Sequence, residues 1–372
     1  WINIMSKIKK LTNSKEFEFY QNYAKFVVPK LEKLESERKK SLSTVIILTI
    51  GAIIISCIIP LLIFLITQTP YEDFALVIVA AVPIAIVLLA CLWEHTIRTF
   101  NSNIKNQCMP ELLKAFGKIN WTPKAIAISD TKIIKSELFG TYNRRENDDT
   151  FSGTYKDLKF VVSESNMQNE KGSGRSKRVW PVFNGVIVMI DSNKTIKNKT
   201  IITTKGDINV KNSDPLMWIS IIGLGFYLFT LGLHIGIITS IVLIGLFLCI
   251  LIKRFCKNEH KEVLNPVILE DPEFNKKYEV LSSDQIEGRY LVTTAFMERF
   301  KTLHTAFGSN KAKCAFFDDK VMFAISTNKN LFEIGDLFHP LTDMKHINDF
   351  MKEISAIYEI IDYFKLAEKT GL

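Results

Sequence analysis

Asp284, Glu287 and Arg289 place two carboxylates and a cation close together in the passage ILEDPEFNKKYEVLSSDQIEGRYLVTTAFMERF, residues Ile268 to Phe300, and Asp271 and Glu273 precede them in the same passage. Paired carboxylates can act as general acid and base, or as metal ligands, in a hydrolase working on an anionic substrate. Neither a histidine nor an evident nucleophile stands beside them, and such chemistry ordinarily recruits one. The same residues also suit a structural role. Asp271 can cap a short helix with Pro272 at its first position and Glu273 in its first turn, while Phe274, Tyr278 and Val280 supply a buried side. Charged residues that flank a strand usually form solvated ion pairs.

A second set lies in NEKGSGRSKRVW, Asn169 to Trp180, where Lys171, Arg175, Lys177 and Arg178 cluster around two glycines. The GSG here is no phosphate loop, because neither GxxxxGK[ST] nor a GxGxxG at a strand-to-helix turn is present. A basic loop of this kind suits anionic lipid headgroups or an acidic protein partner, and otherwise it is a solvated hairpin tip. Of the six cysteines, none shares a CxxC or Cys/His spacing, so all read as free thiols, and neither a metal nor any other cofactor is expected. The net charge of +8 comes without a nucleic-acid fold or an interleaved aromatic-basic strip. It therefore argues for anionic surfaces and not for nucleic acid.

The elements that must position these groups begin with three uncharged blocks, Thr44–Ile66, Phe74–Trp93 and Pro215–Ile252, in a chain of 372 residues that is 47% apolar. Each is near or above the ~20 residues that cross a bilayer core. One straight helix over Pro215–Ile252 would run about 57 Å against a core of about 30 Å. A hairpin broken at Leu231-Gly232-Leu233-His234 fits better, and Gly232, Gly236 and Ser240 offer small-residue spacing for helix packing or a homo-oligomer. Basic flanks at Arg38–Lys40, Arg98, Lys105 and Lys253–Lys257, against a loop Thr67–Asp73 without Lys or Arg, place the remaining mass in the cytosol. Intramembrane charges, which ion-coupled transport normally needs, are missing from these blocks. Met5-Ser6-Lys7 reads as a more natural start than Trp1.

Around the blocks, Glu16–Lys40 has a helical stripe of Phe19, Tyr23 and Phe26 with a kink at Pro29, and Glu94–Lys118 reads as its antiparallel partner. From Pro123 the period changes to two, giving strands at Ala125–Ser129, Thr131–Glu137, Leu158–Glu164, Val182–Ile190 and Lys199–Thr204. Val186–Ile190 is apolar on both faces and so suits the centre of a covered sheet. Later come a strand at Val263–Leu269, a helix from Thr293 or Thr294 to about Ala306, and a hairpin of Lys313–Phe317 and Val321–Ser326 across Asp318-Asp319-Lys320. The last helix carries Ile347, Phe350, Met351, Ile354, Ile357, Tyr358 and Ile361 at helical spacing.

The Ile268–Phe300 passage, with SELFGTYNRRENDDTFSGTYKDLKFVVSESNMQ and VFNGVIVMID upstream, resembles a bacterial family known only as a domain of unknown function. Some of its members carry a galanin-like label, which is set aside because a secreted peptide hormone shares nothing with a multi-span protein facing the cytosol. The resemblance covers most of the chain and implies no activity, cofactor or site residue. The block at Pro215–Ile252 departs from it as an insertion relative to the two-span arrangement that the resemblance implies.

The expected architecture is an α+β membrane protein: two transmembrane helical hairpins, four spans in all, anchoring one cytosolic mixed antiparallel-sheet domain with amphipathic helices. Its parts are an amphipathic helical arm at 1–42, hairpins at 43–93 and 215–252, a helical stalk at 94–122, and the two halves of the domain at 123–214 and 253–372. The expected location is the bacterial inner membrane, multi-pass, with both termini cytosolic. The expected function is a non-enzymatic, membrane-anchored binding or scaffold protein whose partners are the bilayer, anionic headgroups or another protein. The alternative is a membrane-surface hydrolase using the acids of 271–289, and a transporter would require a polar path that nothing in the blocks suggests.

Overall fold

A computed structural model of the protein describes residues 14–67, 71–206, 263–309, 311–341 and 343–363. The block Pro215–Ile252, with Gly232, His234, Gly236 and Ser240, lies outside the described residues. Two long helices form an arm. Helix α1 (Ser14–Asn22) passes through a π-helical turn at Tyr23–Val27 into α2 (Val28–Thr67), and α3 (Tyr71–Leu113) returns beside it. Proline at position 29 lacks an N–H and its ring crowds the carbonyl four residues back, so the wide turn just before it relieves the strain. The extra residue in that turn also moves the apolar stripe. Phe19, Tyr23, Val27, Leu31 and Leu34 are buried, whereas Phe26, expected on the stripe, is exposed.

The arm is antiparallel: Trp93 Nε1 donates to Thr49 Oγ1 at 2.9 Å, and Lys30 Nζ lies 3.4 Å from Glu111. Among the described residues no helix is long and apolar enough to cross a membrane. The four-span membrane architecture and the multi-pass inner-membrane location are corrected accordingly. The blocks Thr44–Ile66 and Phe74–Trp93 are portions of longer helices whose other portions, from Lys30 to Lys40 and from Glu94 to Glu111, are charged. An uncharged run of the right length is necessary for a span but does not establish one. Apolar side chains from Ile46 to Ile58 and from Ile86 to Leu92 are exposed on the arm.

The rest is built on one nine-stranded sheet in which every pairing is antiparallel. Its strands are β1 (Ile119–Pro123), β2 (Arg144–Tyr155), β3 (Leu158–Lys171), β4 (Arg178–Asp191), β5 (Thr200–Thr204), β6 (Asn265–Pro266), β7 (Tyr278–Ser282), β8 (Lys311–Phe317) and β9 (Lys320–Ser326), in the order β1-β2-β3-β4-β9-β8-β5-β7-β6. Strands from both sides of residues 207–262 therefore alternate within it. The turns Lys156-Asp157 and Asp318-Asp319 both have positive φ at their two central residues, the geometry whose twist matches tight antiparallel hairpins. Where β4 and β9 approach, a Cβ on Gly185 would run into the Ile325 carbonyl, and the glycine has φ +148.

Strand β4 sits between β3 and β9, and its two faces enter two cores. Val186, Val188 and Ile190 join the larger one, while Ile187 and Met189 join the smaller. The larger core is closed by α7 (Thr294–Leu303) and α8 (Met344–Tyr363), with Ile347, Phe350, Ile354, Ile357 and Ile361 all buried. The arm docks on α8 through Tyr20 Oη, which donates to Asn348 at 2.7 Å, and through Phe19, whose ring stacks on that of Phe350 at 6.5 Å.

Three strand expectations fail locally. Residues 131–137, expected to be a strand, form most of helix α4 (Asp130–Ser136), because extended Ser129 and first-turn Asp130 begin a helix that Glu137 ends in the left-handed region. Residues 125–129 are irregular. The expected strand at Val263–Leu269 shrinks to Asn265–Pro266, where the proline has no N–H to give a longer ladder.

Candidate functional site

The acids of the Ile268–Phe300 passage do not converge on a common reacting position; they hold helix ends and a loop. Asp271 begins α5 (Pro272–Lys277): its Oδ1 accepts from the N–H groups of Glu273 and Phe274 at 2.9 and 3.1 Å, and its Oδ2 meets Lys301 Nζ at 2.5 Å. The Lys301 ammonium and those N–H groups hold the Asp271 carboxyl below its ordinary value. Asp284 caps α6 (Gln285–Leu291) by accepting from Ile286 N and Glu287 N at 2.7 and 2.9 Å. Glu287 faces elsewhere, accepting from Lys197 N at 2.8 Å and from the backbone and side chain of Asn198. Glu273 is 90% exposed and Arg289 is exposed. Substituting Asp284 with Ala is expected to cost about 1 kcal/mol through loss of the cap. The check is a urea midpoint that falls while the slope stays constant.

The basic residues gather at the tip of the β3–β4 hairpin. Strands β3 and β4 stay paired out to Lys171 opposite Arg178, but β9 pairs with β4 only from Gly185 onward. The tip consequently projects past the sheet, and Lys171, Lys177, Arg178, Val179 and Trp180 are exposed. Lys177 Nζ pairs with Glu170 at 2.8 Å, and Arg144 takes the other oxygen of Glu170 at 2.7 Å. Arg175 lies in the short turn between the strands.

A third cluster was missed by reading the chain for motifs. Lys105 of α3 is 7% exposed, and its Nζ lies 2.6 Å from Asp149, 2.8 Å from Glu333 and 3.9 Å from Asp148. The ladder between β2 and β3 breaks between Asn147 and Thr150, so Asp148 and Asp149 occupy a bulge, which re-aims side chains out of the regular alternation. Asp149 is 1% exposed and its Oδ1 accepts from Trp121 Nε1 at 2.7 Å. Glu164 of β3 accepts from Leu331 N at 3.2 Å through Oε1, while its buried Oε2 has no hydrogen-bond partner among the described residues.

Burial disfavours the Lys105 cation, but Asp149, Glu333 and Asp148 outweigh it and hold the amine above its ordinary value. Burial raises the carboxyls of Asp149 and Glu333, with Lys105 offsetting part of the rise. Glu164 is pushed up to about 8, first by burial and then by Asp149 and Asp148, against the Leu331 N–H. One cation among four carboxyls locks the arm to the sheet and to the loop after β9. The signal available in the sequence was the adjacent pair Asp148-Asp149; Lys105 reads there only as a basic flank.

Residues 181–366, half of the chain, match the model of a family described as "Protein of unknown function (DUF3137)". No curated protein matches the chain. Among solved structures, the crystal structure of the mycobacterial trehalose monomycolate transport factor A, TtfA, is similar at 7% identity over 70% of this chain and 93% of that chain, with a TM-score of 0.31. A likeness that weak carries no argument about this chain's fold or activity.

Proposed function

We propose that this chain, which belongs to the family of proteins of unknown function DUF3137, is a non-enzymatic binding or scaffold protein that holds an acidic polypeptide segment at the β3–β4 hairpin tip. The observation that carries this reading is the tip itself. It is exposed, it is rich in cations, and among the described residues its strand β4 has a sheet neighbour on one side only from Arg178 to Phe183. An unpaired strand edge offers N–H and C=O groups to an incoming extended segment. Trp180 and Val179, at 43% and 45% exposure, add apolar contact beside the charges. Pro181 limits the reach, because it cannot donate to a new ladder. An open edge favours a polypeptide over a lipid headgroup, which would use the charges alone.

The test is fluorescence anisotropy of a labelled poly-glutamate peptide with the full chain, beside a variant in which Lys171, Arg175, Lys177 and Arg178 become Ser. Binding is expected to weaken by about tenfold or more in the variant and to fall with added salt, since exposed charges are screened within about 10 Å at 0.1 M. The far-UV spectrum is expected not to change, because the replaced side chains are at a tip. Equal binding by both proteins, or binding only to phosphatidylserine vesicles, would sink the reading.

A further inference from the structure

The loop that follows β9 and the start of α8 bring together three side chains with a different chemistry. Asp336, His339 and His346 each offer one ligand atom, and these atoms lie within 4.8 Å of one another. Asp336 is fixed by its own turn, with Oδ1 accepting from Phe338 N at 2.7 Å and His339 N at 2.8 Å. Oδ2 faces two imidazoles, His339 Nδ1 at 2.8 Å and His346 Nε2 at 3.4 Å, and His339 Nδ1 is also 3.0 Å from Oδ1. His346 stands in the first turn of α8, whose next residue, Ile347, is fully buried. Its position is therefore set by the core and not by the loop.

We propose that Asp336, His339 and His346 bind a divalent transition-metal ion of the zinc type. Two imidazole nitrogens and one carboxylate oxygen form a borderline donor set, which suits zinc and its neighbours; calcium and magnesium prefer oxygen donors throughout. Tetrahedral zinc with bonds of about 2.0–2.1 Å places its ligand atoms roughly 3.3–3.4 Å apart. The separation of His346 and Asp336 already meets that figure. His339 must withdraw slightly, and at 65% exposure its ring has room to do so.

The local charge is compatible with a cation. Arg38 of α2 is a positive group whose field reaches Asp336, but its guanidinium is engaged by both oxygens of Glu35 at 2.7 and 2.8 Å and donates to Leu337 O at 3.0 Å. The bound ion would thus clip the loop to α8, next to the point where Arg38 ties that loop to the arm. Three protein ligands leave a further coordination position on the exposed side, open to water or to a side chain from a bound partner.

The experiment uses the full chain, treated with a chelator and dialysed, then titrated with Zn2+ by calorimetry and with Co2+ by visible absorption. The expected result is about one Zn2+ per chain and the absorption bands of tetrahedral Co2+. His339→Ala and His346→Ala are each expected to weaken that binding about 100-fold or more, since each removes a direct ligand and even supporting residues cost up to that much. His95→Ala, on α3, is the control that leaves binding unchanged. Saturable wild-type affinity in both ligand variants, or no saturable binding in the unaltered chain, overturns the proposal. If His346→Ala fails to fold, His339→Ala alone decides, because its exposed side chain is not needed for packing. The Ser-substituted hairpin variant should bind zinc normally, which separates failure here from failure at the tip.

Discussion

Replacing Lys105 with Met is expected to destabilise the protein by about 3–5 kcal/mol, the usual cost of removing one partner from a buried ion pair. The reason is what remains behind. Asp149, at 1% exposure, and Glu333 would face each other and Glu164 with no cation among them. Each would have to hold a proton or draw in water. The methionine keeps most of the aliphatic volume, so packing loss is a minor part of the effect. The check is chemical denaturation of the variant beside K105M/D149N. An asparagine in place of Asp149 can still accept from Trp121 Nε1 while carrying no charge, so the double variant should recover a measurable part of the loss. A K105M protein within about 0.5 kcal/mol of the parent, the range of ordinary surface changes, would show that the cluster is hydrated and not a lock.

The same cluster shows where reading the chain by pattern stops. Helix α8 was legible because its buried residues repeat at three and four positions, and the β8–β9 hairpin because two aspartates sit where a tight turn needs positive φ. Phe274, Tyr278 and Val280 were legible as a buried set, although the helix hands over to a strand after Lys277. Lys105, Asp149, Glu164 and Glu333 were not, since no local period links residues so far apart. Only the placement of α3 across β2 and β3 brings them together. The helical arm was legible as helices and misread as spans, because block length measures reach and says nothing of what lies alongside. The β2 strand was missed for a related reason: RRENDDTFSGTY is polar along its first half and carries a bulge, which breaks the period of two. Asp336 and His339 stand three apart in the sequence, but His346 joins them only through the course of the loop.

Raising the pH should weaken this protein, and Glu164→Gln should remove part of that weakening. Glu164 has its folded-state carboxyl pushed up to about 8 from an ordinary value of 4.5, first because burial disfavours its charge and then because Asp149 and Asp148 add negative charge nearby. Between those two values the folded protein keeps a proton that the unfolded chain has released. Where the folded state binds more protons, stability falls with rising pH. Glu353 of α8, pushed up to about 7 chiefly by burial against the Phe332 N–H that it accepts at 2.6 Å, acts in the same direction over a narrower window. Asp271 and Glu35, whose carboxyls are lowered, act oppositely, and they do so only at the acid end, as pH falls through their folded-state values. Stability is therefore expected to decline from about pH 5 to about pH 8, the interval bounded by the unfolded carboxyl and the raised Glu164. The glutamine introduced by E164Q keeps the acceptor for Leu331 N and never ionises. That variant should match the parent near pH 5 and exceed it at pH 9 by on the order of 2 kcal/mol, since each unit of raised pKa is worth about 1.4 kcal/mol and some of that is relieved by water and local movement. Urea midpoints measured from pH 5 to pH 9 decide the matter: parallel curves for the parent and E164Q would mean that Glu164 is ionised and solvated in the folded protein, whereas curves that diverge between about pH 5 and about pH 8 place its proton within the lock.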